Sequence, residues 1–323
     1  MTTFMRLIRG LIATILMMSL FACSSLSTSP NTTANQELPQ PQTIQLATSV
    51  PVIASMAREL IVKTAIELIY LPSSRYSIKR IPGWLARQPV NEYPEADAVL
   101  GIASVWPELD IYPHLRLQNI AIIPVDLAHA YVPGGERVAL TERSGNTPHF
   151  FWLNPANSLI MLGILHRDLQ AVVAGSSRFN ETHKADIKRQ LNANHLLMAQ
   201  KLRQLQVAID NQLLELNMMQ VVIENTDLKE LAAATLLPEA TKGDAIESGF
   251  PSLLITNKQA NHKKFKNLPE HILIWHIDDF AKPREGHFTE RWANNLEALK
   301  ENTTKPENLN AGKNDAETII RPR

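Results

Sequence analysis

Short apolar runs alternate with apolar positions at helical spacing from residue 43 to residue 300, and this alternation predicts an α/β fold with mostly parallel sheets. Residues 43–49 form a β-prone run. Pro51 then opens a stretch in which Val52, Ile53, Met56, Leu60 and Ile61 recur at helical spacing, with the proline suited to a first helical turn. Residues 98–102 and 120–125 are short apolar runs bounded by turn residues, the pattern of strands buried on both faces. From residue 157 the texture changes. Leu159, Leu162, Leu165, Leu169 and Val173 repeat every three or four residues, and the spacing resumes through Leu191, Leu197, Leu202, Leu205, Ile209 and Leu213. Gly175-Ser176-Ser177 breaks this region into two helices. Strand-like runs return at residues 220–223, 252–256 and 272–277, with helical segments at 228–236 and 288–300. The expected architecture is therefore two α/β lobes, residues 43–156 and 218–300, joined by a long rigid helix within a connector at 157–217.

The two ends read differently. Arg6 and Arg9 precede an apolar run at residues 11–21 that closes on Leu20-Phe21-Ala22-Cys23, the shape of a secretory signal over residues 1–22. The run is well short of the roughly 20 residues a membrane-spanning helix needs. The Leu20–Cys23 string resembles the lipobox of bacterial lipoproteins, in which the cysteine becomes the acylated N-terminus, so Cys23 is the expected lipidation site. Residues 23–42, rich in Ser, Thr, Asn, Pro and Gln, read as a flexible tether, and residues 301–323 as a polar tail. An exported lipoprotein facing the periplasm or the cell surface, anchored to the membrane by its N-terminal lipid, is the expectation.

Cys23 is the only cysteine, which excludes an internal disulfide and any thiolate metal site in the exported domain. Removing two arginines with the signal from a total of 32 leaves 30 basic against 32 acidic residues. Without a basic excess, nucleic acid is not an expected partner. The chain contains no Gly-rich phosphate loop, no G-x-S-x-G and no H-E-x-x-H, so no enzymatic activity is expected.

Particular strings carry a resemblance. Thr48-Ser49-Val50-Pro51 ahead of an amphipathic helix, Glu95-Ala96-Asp97-Ala98-Val99, and above all Pro148-His149-Phe150-Phe151-Trp152-Leu153-Asn154-Pro155 resemble the substrate-binding proteins of ABC importers for zinc and manganese. Ile277-Asp278-Asp279, and Gly286 through Phe288 to Asn295-Leu296, resemble that family's last metal-binding segment and final helix. The resemblance implies a metal-type periplasmic binding protein, monomeric, that holds Zn2+ or Mn2+ between its lobes and delivers it to an ABC permease. His149 matches one metal ligand, and either Asp279 or Asp278 another. The position of the third falls at Asn225, with Glu224 its neighbour; glutamate takes this place in manganese-type relatives. The position of the first, near residues 78–83, has no histidine, since none occurs before His114.

Imidazole and carboxylate oxygens suit these cations, but two or three protein ligands predict weaker binding than a closed four-ligand site. Two readings stay open: a divalent-metal receptor, or a relative on the same scaffold that has lost or changed its metal and serves as an interaction or accessory protein.

Overall fold

The structure, a computed structural model, describes residues 43–89, 93–141, 143–144, 147–258, 265 and 268–301. The segments expected to be a signal and a tether, with Cys23, and nearly all of the polar tail lie outside the described residues.

Strand β1 (Ile44–Thr48) is followed by α1 (Pro51–Leu60), which starts with its proline in the first turn and buries nearly every residue. β2 (Ile66–Tyr70), β3 (Ala98–Gly101) and β4 (Ile123–Asp126) complete a parallel sheet of order β2-β1-β3-β4. Two one-turn helices, α2 (Ile81–Leu85) and α3 (Tyr112–Arg116), fill the crossovers. A short antiparallel pair, β5 (Arg143–Ser144) with β6 (Thr147–Pro148), leads out of this lobe.

Helix α4 (Pro155–Gly175) and helix α5 (Glu181–Glu215, 35 residues) come next, separated at the expected Gly-Ser-Ser break. α4 is long and apolar enough to cross a membrane by length and composition. Here, however, Met161, Leu162, Leu165 and Leu169 are fully buried in the core. α5 packs on α1, α4 and α8, so one rod lies along both lobes. Its buried stripe runs through Leu191, Met198, Leu202, Leu205, Ile209 and Leu213, whereas Leu196 and Leu197 are 67% and 53% exposed. The spacing alone selects Leu197; the helix turns Met198 inward instead.

The second sheet, order β7-β8-β9, is parallel and built from β7 (Gln220–Ile223), β8 (Ser252–Thr256) and β9 (Ile272–His276). α6 (Lys229–Ala234) and α7 (Lys242–Ser248) lie between β7 and β8, and α8 (Phe288–Lys300) closes the described chain. A continuous apolar core links both sheets through α1, α4, α5 and α8, with Trp152, Trp275 and Trp292 among its largest members. The expected two-lobed, mostly parallel α/β architecture with a long helix is what the chain adopts. The ends of α1 and α8 are joined where buried Glu59 accepts from the Thr289 amide (2.9 Å) and its hydroxyl (2.5 Å).

Candidate cleft site

In open parallel α/β sheets, ligands bind in the crevice outside the carboxyl ends of the strands. Here that crevice is a cavity of about 390 Å³, lined by Lys79, Trp106 and Glu108 from the first lobe, His149 from the crossover, and Thr226 and Asp227 from the second lobe. A larger cavity of about 550 Å³ lies between α5 and α8, lined by Leu205, Ala208, Ala293 and Leu296 among others. It gathers no cluster of metal-type donors among the described residues.

The segment carrying His149 is fixed from behind. Residues Phe151–Leu153 form one 3-10 turn, and Asn154 caps α4 by accepting from the Ala156 amide at 3.0 Å, with Pro155 at the first helical position. Ser158 Oγ donates to the Trp152 carbonyl (2.6 Å) and Asn157 Nδ2 to the Phe151 carbonyl (3.0 Å). Phe150 stacks on Trp152 with centroids 4.8 Å apart, and its amide donates to the Asp227 carbonyl at 3.0 Å. His149 itself is only 4% exposed, faces the cavity, and has no hydrogen bond to its ring among the described residues.

The other sequence-predicted residues are engaged elsewhere. Asp278 receives a two-pronged hydrogen bond from Arg291 of α8 (2.8 and 2.9 Å), accepts from the Phe280 amide, and has Arg284 at 3.7 Å. Burial pushes its pKa up, but the Arg291 hydrogen bonds and charge outweigh this and hold it below the usual carboxylate value. Asp279 points the other way: it accepts from Asn257 Nδ2 at 2.6 Å and from the Ala281 amide at 2.9 Å, while its carbonyl accepts from Trp152 Nε1 at 2.9 Å. Glu224 lies just past β7 and binds the Thr256 hydroxyl (2.5 Å) and the Lys258 ammonium. Asn225 accepts from the Asp227 amide and donates to Asn257.

The carboxyl ends of β7, β8 and β9 thus form one polar network that reaches from Asp279 to the cavity residue Asp227. Among the described residues, no group of three or more His, Cys, Asp or Glu side chains stands close enough together to hold a metal ion. His149 is therefore not gathered with Glu224, Asp278 and Asp279 into a ready-made shell.

Sequence reading missed Lys79, Glu108 and Asp227 as cavity residues. Each is a common surface type in an unremarkable string, and only its neighbours across the cleft distinguish it. His166 and His195, scattered along α4 and α5 in sequence, stack at 4.2 Å across the two helices. The pKa of His195 is lowered by burial, by His166 and by Arg203.

No protein-family model matches the chain, and no curated protein matches it in sequence. Solved structures do match in fold. ZnuA is 14% identical with a TM-score of 0.51, covering 81% of this chain and 99% of its own. The Zn(II)-bound ZnuA-like domain of Streptococcus pneumoniae AdcA is 12% identical with a TM-score of 0.53 over 81% of this chain and 99% of that domain. The solute-binding protein FpvC of Pseudomonas aeruginosa, in complex with Mn2+, is 13% identical with a TM-score of 0.52 over the same shares. At such identities the likeness establishes architecture, and in architecture this chain is like the zinc- and manganese-type solute-binding proteins that its sequence strings resemble.

Proposed function

We propose that this protein is the solute-binding lipoprotein of an ABC importer for a divalent metal ion, Zn2+ or Mn2+, which it takes up in the cleft beside His149 and passes to a permease. The observation that carries the reading is the His149 side chain, 4% exposed, which lines a cavity at the carboxyl ends of the strands and has no hydrogen bond to its ring among the described residues. The fold shared with a zinc-bound and a manganese-bound protein supports it. Imidazole with carboxylate is a donor set suited to Zn2+, and more carboxylate favours Mn2+.

The bonds already made by the candidate carboxylates rank them as ligands. Asp279 would leave only neutral donors, the Asn257 amide group and one backbone amide. Glu224 would have to leave Lys258, and Asp278 the buried Arg291. Among these three, Asp279 is therefore the first partner for His149, Glu224 the second and Asp278 the last, because breaking a buried charged pair is the most unfavourable step, while Asp227 and Glu108 already line the cavity.

The compact unit Gln42–Arg323 carries the core and is the form to test. Titration with Zn2+ and Mn2+ is expected to show one saturable site of roughly micromolar affinity, weakened at least about tenfold by His149→Ala. The absence of saturable binding would instead favour the second reading, a scaffold that has lost or changed its metal. That reading has its own observation, the Lys79 side chain lining the cavity.

Export, acylation at Cys23 and a monomeric state complete the proposal. Cells grown with labelled palmitate should incorporate label into the wild-type chain, and Cys23→Ser should abolish the incorporation. A Cys23→Ser chain that labels as strongly as wild type would remove the anchor from this account.

A further inference from the structure

A cation lines the cavity beside His149: the Lys79 side chain, 53% exposed, pairs with Asp227, 17% exposed. Lys79 lies on the turn Ile78–Arg80 of the first lobe, and its Nζ meets Asp227 Oδ2 of the second lobe at 2.5 Å. The same Nζ stands 5.6 Å from the centroid of Phe150, a cation–π contact. The turn is fixed across the lobes because the Ile78 amide donates to the Ala281 carbonyl at 2.7 Å. Asp227 is fixed by the Phe150 amide on its carbonyl and by Asn225 Oδ1 on its own amide.

We infer that Lys79 is a tethered competitor of the incoming cation: its ammonium neutralises Asp227, which with Glu108 supplies the carboxylates of the cavity beside His149, and thereby lowers the affinity of the cleft for free divalent ions. This rests on the cleft being the solute site. An arriving ion either displaces the ammonium from Asp227 or binds with that carboxylate already neutralised and a like charge nearby; both weaken it. The tether makes the competition effective, since an attached group acts at high local concentration, and salt weakens it by screening the half-exposed pair. Selectivity then falls on any ion, or complex of an ion, able to bind without Asp227.

The test is zinc titration of the Gln42–Arg323 unit in which charge at one position is varied. Lys79→Met and Lys79→Gln, two neutral replacements that guard against misfolding of either one, are expected to tighten zinc binding roughly two- to fivefold. Lys79→Arg should stay at the wild-type affinity. Adding Asp227→Asn to Lys79→Met should remove the gain. Neutral variants that melt like wild type but bind zinc no more tightly would overturn the inference, whatever wild type itself binds. Wild type without His149-dependent binding, beside a Lys79→Met chain that has acquired it, would keep the inference and reject metal uptake by the natural protein.

Discussion

Replacing Arg291 with methionine is expected to lower the unfolding free energy by about 3–5 kcal/mol near neutral pH, because it leaves a desolvated carboxylate without its counter-charge. Arg291 is 3% exposed, bonds both Asp278 oxygens, and lies 4.3 Å from the centroid of the Phe280 ring. Arg284, at 3.7 Å and largely exposed, can replace little of this. The pH dependence gives an independent check. In the wild type the folded-state pKa of Asp278 is depressed, so the pair's contribution is present above the unfolded value of about 3.9 and is lost as pH falls through the folded one. In Arg291→Met, burial is opposed only by the Phe280 amide and by Arg284, so the folded pKa of Asp278 rises relative to the wild type and the variant's carboxyl is protonated sooner as pH falls. The gap between wild type and variant should therefore narrow from pH 7.5 to pH 5. Urea unfolding at both values measures it, and a gap below about 1 kcal/mol at pH 7.5 would show that the pair contributes no more than a surface one.

Trp152→Ala should have an effect of similar size, about 3–5 kcal/mol, through loss of a large side chain that is completely buried. Its consequence for the site is more specific. Trp152 connects the segments that carry two of the candidate ligands: it stacks on Phe150, the residue after His149, and its Nε1 donates to the backbone carbonyl of Asp279. Truncation removes the support of Phe150 and leaves the Asp279 carbonyl without this donor, so zinc affinity should fall along with stability. Trp152→Phe keeps a stacking ring and loses the hydrogen bond, and should retain most of the stability while still weakening the metal. If Trp152→Phe binds zinc as wild type does, the Trp152–Asp279 bond does not position the site.

Several elements could be read from sequence because their signals are local. β8, the central strand, is buried throughout, and β7, β8 and β9 each carry at least three adjoining apolar residues. α1 and α8 have apolar positions at one period with a clear start, and α8 occupies residues Phe288–Lys300 as its spacing predicts. β2 escaped because it is the sheet edge. Glu67 is exposed and the residues after it are half-buried, so Ile66–Tyr70 carries neither a continuous apolar run nor a clean alternation. β4 begins at Ile123, three residues into the apolar run, and Ile120 is left 81% exposed. α2, α3 and α7 span less than two full turns, too short for a helical period to emerge.

The two-lobed, mostly parallel α/β class, the long helix and the final helix were determined by the sequence itself, since each signal depends on residues within one or two turns of each other. The tertiary structure alone decided what faces His149. α8 turned Asp278 away through Arg291 and Asn295, thirteen and seventeen positions further on. It also brought Lys79 to Asp227 from 148 residues away. No local pattern encodes such a meeting, because it depends on where two separately folded sheets come to rest against one shared helix.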